Sequence, residues 1–515
     1  MPTNIESLKI VCKGGQVENL DVLTAGLQPS GAARRLVNYE PALEGGYQRI
    51  KGYSKFSAST VTGDATSPIL GVKVAHSGVY AARKDVATTG VNIYYSTSGA
   101  WSSALVATPL SASTTKVRFI SYSITQPVVI ATNGYNDARK FDASQTETVL
   151  TDGPTAPKYA AMIRNRLVLA PATTSSSIAI SAPNDDTLFT SGGGVEINVG
   201  DTITGLKTFR EKLYIFCQNS IFRLDGTSST DFAVVPVTRS LGCISHDSIQ
   251  ETAGDLTFLF TDGLHSLAAT EKIDDLELGI ISPQIQPTLR RLIEGVTEDE
   301  VSSCLIRGKS QYRLFIYDAT IANDLDSNGV GAKYNRDGTI EFYELQGFNS
   351  YSADSEYLNT GTERAVFGHP SNGYVYLQES GNTLGGTVEI PHLVSFIDQM
   401  MGDDKVRKVL QKITLYMQAG STETVNLQAI LDFSDPDKLQ PSSIPITVSG
   451  STATYGSAVY GVDTYGSVTL AVIRKQLIGS CYAVSISMFG NSNSEPFRVD
   501  SLVIQYAIKG KKEFY

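Results

Sequence analysis

Short apolar stretches separated by polar turns recur along the first three quarters of the chain. Two of them align without a gap: LYIFCQNSIFRLDG (213–226) and LTFLFTDGLHSLAA (256–269), which begin 43 residues apart. Each reads as an apolar strand, a polar turn and a second strand, with Ile221 matched by Leu264. A period in the forties, with two apolar strands around an Asn/Asp/Gly turn, is typical of a β-propeller blade.

Weaker copies of this hairpin occur upstream and downstream. They are VKVAHSGVYAAR (72–83), RNRLVLA (164–170), KSQYRLFIYD (309–318) and NGYVYLQESG (372–381). Over residues 61–387 the period leaves room for about six or seven blades. A pair of β-sandwiches could use the same hairpins. The propeller is favoured because radial repetition protects sheet edges and accounts for the fixed offset.

Two segments have a helical pattern. Residues 283–296, which we expect to be a helical insertion, place Ile285, Leu289, Leu292 and Ile293 on one face. Residues 394–411 are predicted to form a short helix broken at Gly402, followed by the strand KITLYMQ.

After about residue 388 the strands become longer and alternate regularly. They are VNLQAILDF, GSVTLAVIR, CYAVSISMFG and FRVDSLVIQYAI. This pattern predicts a separate C-terminal β-sandwich over 388–515. Residues 1–60 are expected to form an extended segment that packs on this C-terminal region. The predicted fold class is therefore all-β, a propeller followed by a sandwich, with few short helices.

Composition agrees with a large folded protein. The chain has 515 residues, 41% hydrophobic and 18% charged, enough for at least one large core. Its 45 glycines and 25 tyrosines favour strands and turns over long helices. The formal charge of -10 and the lack of a long Lys/Arg run argue against sequence-specific DNA binding.

The cysteines indicate neither a disulfide framework nor a zinc site. Their number is odd and no C-x-x-C pair occurs among Cys12, Cys217, Cys243, Cys304 and Cys481. This usage fits assembly in a reducing cytosol. The sequence also shows no signal-like start and no apolar run of about 18 residues, so we expect a soluble protein without stable membrane insertion.

Two motifs resemble catalytic or metal sites. GCISHDS brings Cys243, His246 and Asp247 together, but in a strand Cys243 and His246 would point to opposite faces, which favours a structural role. DLDSNG (324–329) resembles the start of a calcium loop. Its twelfth position is Asn335 and not glutamate, which favours a polar surface loop, with bound calcium as the open alternative.

Two further motifs are incomplete. Gly308, Lys309 and Ser310 match the end of a phosphate-binding loop, but the first glycine is replaced by Ser303 and a strand follows, so this motif is rejected. YYSTSGAW (94–101) resembles a sialidase Asp-box without its aspartate, which indicates a hairpin turn. We therefore assign no catalytic, cofactor-binding or metal-binding residue.

Two stretches carry a family resemblance. Residues 205–270, GLKTFREKLYIFCQNSIFRLDG through FLFTDGLHSLAAT, resemble the propeller segment of phage tail structural proteins. NYEPALEGGYQRIKGYSKF (38–56) resembles the N-terminal signature of the tail nozzle (tail tube) proteins of short-tailed bacteriophages. It departs at Ile50-Lys51-Gly52, where relatives often have Arg-Pro-Gly. The structural motif in this stretch is Asn38, Pro41, Gly45, Gly46, Tyr47, Gly52 and Tyr53.

The resemblance implies a virion structural protein and not an enzyme, assembled in the host cytoplasm and needing no cofactor. It implies a homohexameric ring below the portal and adaptor, with a DNA channel for genome ejection, a needle or plug at its end, and flanking tail fibres. DNA would pass without sequence specificity. Six copies carrying -10 each would give an acidic lumen that repels DNA. In the motif, the glycines would allow close approach while Tyr47 and Tyr53 fill gaps.

Two other functions stay open from the sequence. The chain could be a carbohydrate- or receptor-binding propeller that uses Tyr94, Tyr95 and Trp101. It could also be a glycosidase, which requires two carboxylates about 5 to 10 Å apart facing one pocket.

Overall fold

The computed structural model describes residues 5–19, 31–85, 87–267, 279–321, 323–358, 360–403, 405–449 and 469–508. These residues form 38 strands and one α-helix, α1 (Gln286–Ile293). The all-β prediction is therefore confirmed. Short 3-10 helices lie at His246–Ser248, Pro283–Ile285, Glu298–Glu300, Arg307–Lys309, Asp324–Asp326 and Asp432–Ser434.

The strands follow in chain order. The first group is β1 (Ile5–Val11), β2 (Ala33–Val37), β3 (Tyr39–Pro41), β4 (Tyr47–Arg49), β5 (Tyr53–Lys55), β6 (Ile69–Ala75), β7 (Gly78–Asp85), β8 (Gly90–Ser96), β9 (Arg118–Ser123), β10 (Pro127–Thr132), β11 (Arg139–Phe141), β12 (Glu147–Val149), β13 (Pro157–Ile163), β14 (Arg166–Pro171), β15 (Ser177–Ile180), β16 (Val195–Asn198), β17 (Ile203–Phe209), β18 (Lys212–Cys217), β19 (Ile221–Asp225) and β20 (Ala233–Thr238). The second group is β21 (Gln250–Thr252), β22 (Asp255–Phe260), β23 (Gly263–Ser266), β24 (Val301–Ile306), β25 (Gln311–Ile316), β26 (Asn328–Tyr334), β27 (Ile340–Gln346), β28 (Ser352–Tyr357), β29 (Glu363–Gly368), β30 (Val375–Gln378), β31 (Ile390–Phe396), β32 (Lys408–Ala419), β33 (Glu423–Leu431), β34 (Ile444–Val448), β35 (Thr469–Gln476), β36 (Ser480–Cys481), β37 (Val484–Ser492) and β38 (Arg498–Ile508).

The propeller is a ring of antiparallel sheets arranged in sequence order. Six blades have a full-length innermost strand of six or seven residues, which is the first strand of the blade in chain order. These strands are β6, β9, β13, β17, β24 and β28. A smaller sheet, β21–β23, begins with a strand of three residues and lies between β17 and β24. The ring closes where β28 packs beside β6. This arrangement agrees with the predicted six or seven blades.

The two hairpins that revealed the repeat lie in neighbouring sheets. The first is β18–β19 and the second is β22–β23. Phe216 and Phe258, one from each hairpin, have ring centroids 5.1 Å apart and share one apolar cluster. Apolar side chains that interleave between adjacent blades in this way supply the core of a propeller.

An N-terminal strand completes the last blade. Strand β5 pairs antiparallel with β30, with Tyr53 opposite Gln378. The fourth strand of the blade β28–β30 therefore comes from the segment before the first blade.

The sandwich also uses N-terminal strands. One of its sheets has the order β3-β4-β38-β32-β35, with β1 and β36 attached. The other has the order β2-β31-β37-β33-β34. Leu415 and Leu502 from the first sheet share an apolar cluster with Leu427 and Met488 from the second. The predicted sandwich is therefore present, and β1–β4 belong to its sheets.

One sheet continues from the propeller into the sandwich. Strand β27, the outermost strand of its blade, pairs in parallel with β2 at Val37 and Glu344. The result is a nine-stranded sheet, β24-β25-β26-β27-β2-β31-β37-β33-β34.

One helix prediction is confirmed and one is wrong. Helix α1 buries Leu289 and Ile293 against the blade β24–β27, as its apolar face predicts. The described residues of 394–411, which exclude 404, contain no helix. They contain the end of β31 and the start of β32, because side chains alternate between buried and half-buried along β31 and its backbone pairs with β2 and β37. Gly402 lies in the connection, with φ +89°.

The predicted strand GSVTLAVIR is described from Thr469 onward, and its start at 466–468 lies outside the described residues. The last two residues of the second aligned hairpin, 268–269, also lie outside them. Within the described ranges, no helix has the length and apolar character needed to cross a lipid bilayer.

Candidate functional site

A cavity of about 310 Å³ lies at the centre of the propeller. Residues of all seven sheets line it, mainly from their innermost strands. Its charged lining residues are Lys73, Lys116, Arg118, Lys207, Asp247, Arg307, Asp354 and Glu356. This concentration of charge distinguishes the central cavity from the apolar clusters between the blades.

Arg118, the first residue of β9, organises one end of the central cavity. Its guanidinium contacts carboxylate oxygens of Asp247 at 3.0 Å, Glu298 at 2.8 Å and Asp299 at 3.0 Å. Only 4% of the Arg118 side chain is exposed. Buried charges are tolerated when several partners compensate for lost hydration, as happens here.

Lys116 lies beside Arg118 and is also buried. Its Nζ donates to the carbonyl oxygens of Asp299 at 2.9 Å, Val301 at 3.0 Å and Tyr351 at 2.6 Å. Burial alone would raise the pKa of Asp247, but Arg118 and Lys116 outweigh it and hold that pKa below its usual value. The Asp247 carboxyl is therefore an ionised structural partner at neutral pH.

Cys243, His246 and Asp247 do not form a nucleophile–base–acid chain. The segment is not a strand as predicted, because His246 and Asp247 lie in a 3-10 helix capped by the Ser245 side chain. Burial raises the pKa of Cys243 to about 12 and lowers that of His246 to about 4. The thiol contacts the Ser245 carbonyl oxygen at 3.2 Å, while His246 Nδ1 accepts from the Leu206 amide at 3.3 Å. Each side chain therefore has a separate structural partner.

A glycosidase uses a pair of carboxylates that face one pocket, whereas two carboxylates that line this cavity have cationic partners: Asp247 contacts Arg118 at 3.0 Å and Asp354 contacts Lys73 at 3.2 Å. A glycosidase pair needs one acid whose pKa is raised. Burial raises the pKa of Asp398, although the neighbouring Arg34 acts in the opposite direction. Asp398 does not line the cavity and pairs with Arg34 at 2.8 Å.

In the calcium-like loop, the first carboxylate, Asp324, contacts side chains of the protein. Asp324 lies in a 3-10 helix and contacts His369 Nε2 at 3.0 Å and Asn349 Nδ2 at 3.0 Å. In the described part of the chain, no group of three or more His, Cys, Asp or Glu side chains is placed to hold a metal ion.

The Gly308-Lys309-Ser310 motif forms the turn between β24 and β25. Strand β25 follows directly, in agreement with the rejection of a phosphate-binding loop. Lys309 forms ion pairs with Glu40 and Glu379.

The candidate sugar-binding aromatic residues pack inside the first blade. Tyr94 is buried, and the Tyr95 hydroxyl donates to the carbonyl oxygen of His76. Trp101 packs on Phe56 with ring centroids 6.0 Å apart. These three residues therefore do not form an exposed aromatic platform. The predicted turn in this stretch is present, since the Ser96 hydroxyl donates to the Gly99 carbonyl at 3.0 Å.

Asn38 lies at the junction of propeller and sandwich. It has φ +54°, and its side chain is buried between β27 and β31. Its Oδ1 accepts from the Gln346 amide at 2.9 Å, while Nδ2 donates to the carbonyl oxygens of Gln346 at 3.0 Å and Pro391 at 2.7 Å. Three residues later, Pro41 ends β3.

The glycines of this segment lie where the backbone reverses or approaches another strand. Gly45 and Gly46, with φ +94° and +82°, make the turn between β3 and β4. A Cβ at Gly46 would lie 2.7 Å from the carbonyl oxygen of Val499. At Gly52 a Cβ would lie 1.9 Å from the carbonyl oxygen of Thr383.

The two tyrosines of the segment fill buried positions. Tyr47 is fully buried and its hydroxyl donates to the Gly31 carbonyl at 2.7 Å. The Tyr53 hydroxyl donates to the Gly347 carbonyl at 2.9 Å, and its ring packs edge-on against Phe367 at 4.9 Å.

Sequence reasoning missed the buried arginines and lysines. Arg313 is fully buried and pairs with Glu40 and Glu379, which links β25 to the N-terminal segment and the last blade. The sequence did contain an indication of these buried charges: Arg313 in QYRLFIY and Arg118 in KVRF each lie between apolar residues. In a strand of a packed sheet, such a charge indicates a buried ion pair.

Comparisons with known proteins give structural likeness only. No family model matches the chain, and no curated protein matches it. Among solved structures, an exo-β-1,3-galactanase from Phanerochaete chrysosporium, bound to β-1,3-galactotriose, is 11% identical with a TM-score of 0.27, and the match covers 89% of this chain and 100% of that one. BBS1N in complex with ARL6DN is 10% identical with a TM-score of 0.40, over 65% of this chain and 99% of that one. At these values neither likeness carries an argument about function.

Proposed function

We propose that this protein is a structural subunit of a phage tail, forming the nozzle ring of a short-tailed phage. The resemblance of residues 38–56 and 205–270 to tail nozzle proteins supports this role. In the described residues, the charged groups that the sequence singled out as candidate chemistry are engaged in structural contacts. A structural role needs such contacts and does not need a catalytic pair.

The observation that carries the proposal is an exposed apolar edge on the sandwich. Among the described strands β35 lies at the edge of its sheet, and Leu470 and Val472 on it are exposed. Ile478 and Tyr482, which follow closely in the chain, are also exposed, and Leu439 is 94% exposed. The 432–440 loop that carries Leu439 is tied to this region because Lys438 Nζ donates to the Ser480 carbonyl.

Monomeric proteins rarely leave an edge strand and several large apolar side chains together in water. A neighbouring copy in a ring would cover such a surface. Because a ring needs two different complementary faces, the edge would contact another part of the next copy. The continuous nine-stranded sheet would hold propeller and sandwich at a fixed angle in each copy.

The remaining roles follow from the family resemblance. The ring would enclose the channel for genome ejection, and the net charge of -10 per copy would limit adhesion of DNA. The proposed neighbours are the portal–adaptor complex, a needle or plug, and tail fibres.

Electron micrographs of the purified protein and of virions, classified for rotational symmetry, test the ring. We expect sixfold particles. Ile478→Glu should reduce the ring fraction in light scattering, while Tyr357→Glu, an equally drastic change at an exposed residue of the propeller, should leave it unchanged. A stable monomer that is absent from virions would contradict the proposal.

A carbohydrate- or receptor-binding propeller is the second candidate, and the central cavity favours it. A glycan array distinguishes the two functions. Micromolar or tighter binding by the isolated chain, together with a monomeric state, would favour this second function.

A further inference from the structure

The central cavity contains one lysine that lacks a carboxylate partner. Lys207 lies on β17, and its side chain is half-buried in the cavity wall. Within the described residues, no ion pair at 4.0 Å or less involves its Nζ. The other cations of the lining do have partners: Arg118 contacts Asp247, and Lys73 contacts Asp354 at 3.2 Å.

Other cations lie close enough to Lys207 to repel its charge. Burial lowers the pKa of Lys207, and the charges of Lys73 and Arg307 lower it further. Asp354 and Glu251 act in the opposite direction without reversing the shift. An additional negative charge in the cavity would therefore stabilise the protonated lysine.

The three cations come from different blades. Lys73 is on β6, Lys207 on β17, and Arg307 directly follows β24. Within the residues that the structure describes, the Arg307 guanidinium has one ion pair, a long contact of 3.8 Å with Glu363, and its Nη1 also donates to the Ser355 carbonyl oxygen at 3.0 Å. All three cations line the same cavity, so a ligand at the centre of the propeller could contact all of them.

We propose that the central cavity binds a small oxyanion, with the phosphate or carboxylate group of the ligand contacting Lys207, Lys73 and Arg307. The cavity, at about 310 Å³, is at the lower end of the range for small-molecule sites. A ligand of about monosaccharide size that carries one anionic group fits this volume. This inference does not depend on the role in a phage tail.

Calorimetric titration of the full chain tests the site. The probes are inorganic phosphate, glucose 6-phosphate, glucuronate and glucose. We expect the anionic probes to bind and glucose to bind about tenfold more weakly or not at all. A preference for the phosphates over glucuronate, or the reverse, identifies the anionic group.

Variants connect binding to Lys207. Lys207→Met should weaken anion binding about tenfold or more, and Lys207→Arg should retain most of it. Lys212→Met is the matched control, because Lys212 begins the next strand of the same blade and pairs with Asp225 at 2.8 Å. It should bind anions as the wild type does.

A second measurement needs no substitution. Reductive methylation with a ¹³C label gives each lysine an NMR signal whose titration follows its pKa. Glucose 6-phosphate should raise the pKa of Lys207 and leave that of Lys212 unchanged. The proposal is overturned if no anion binds, if glucose binds as tightly, if both methionine variants bind equally, or if the Lys207 signal does not respond.

Discussion

Arg118 Nε donates to Asp247 Oδ2 over 3.0 Å, and this contact lies at one end of the central cavity of the propeller. Arg118 begins the second blade, whereas Asp247 directly precedes the small sheet β21–β23. The pair therefore joins parts of the ring that are not neighbours along its circumference. It connects them at the inner strands, which line the central cavity.

The first prediction concerns this pair. Arg118→Met should lower the free energy of unfolding by about 3–5 kcal/mol, because Asp247, Glu298 and Asp299 would lose their shared cation in a buried place. Urea unfolding followed by tyrosine fluorescence measures the change. Arg336→Met, at an exposed turn, is the control and should change stability by less than about 0.5 kcal/mol. If the two substitutions lowered the free energy of unfolding equally, the central ion pairs would contribute no more to stability than an exposed arginine does.

The second prediction concerns Asn38. Asn38→Ala should cost about 2–4 kcal/mol, because it removes the partners of Gln346 and Pro391 and places alanine at a positive φ. Asn165→Ala separates these causes, since Asn165 has φ +57° but lies on the surface. We expect a loss of about 1 kcal/mol there in thermal unfolding. A similar loss at both positions would assign the Asn38 effect to backbone strain alone.

The third prediction tests the pairing by which β5 completes the last blade. Gly52→Ala should destabilise the protein by about 3 kcal/mol or more, because the new Cβ would overlap the Thr383 carbonyl oxygen. Limited proteolysis should then cleave near residues 51–60 faster. Gly99→Ala is the control, since its Cβ would meet nothing within 4 Å. Unchanged cleavage in Gly52→Ala would mean that β5 closes the blade without this close approach.

The fourth prediction is a pH dependence from His392. Burial, assisted by the charge of Arg49, lowers the pKa of His392 to about 3. Between pH 6.5 and 3 the unfolded chain binds a proton here that the folded chain does not, so stability should fall as the pH is lowered through this range. Each pH unit should cost about 1.4 kcal/mol for this group.

Urea unfolding of wild type and His392→Gln between pH 4 and 8 measures this effect. The wild type should have the steeper loss below about pH 6.5, and the two slopes should agree above pH 7.5, where the histidine is neutral in both states. Parallel curves over the whole range would contradict the assignment.

The propeller could be predicted because its evidence is local. A hairpin such as β18–β19 is encoded in about 14 consecutive residues, and its repetition reveals the ring. The sequence predicts a helix for residues 394–411 because short apolar stretches fit both the helical period of 3.6 residues and the strand period of 2. Only the pairing of β31 with β2 and β37 decides in favour of the strand. The central ion pairs could not be predicted, since Arg118 and Asp247 are 129 residues apart and meet only after the ring closes.

The interleaving of strands from both ends of the chain constrains how the protein is made. Strand β5 pairs with β30, and β1 and β4 pair with β38, so each of these early strands needs a partner that is synthesised much later. The last blade therefore lacks its fourth strand pairing until β30 has been made, and the sandwich is incomplete until β38 has been made, so the early strands remain without these neighbours until then. The nascent N-terminal strands are therefore a natural binding target for chaperones.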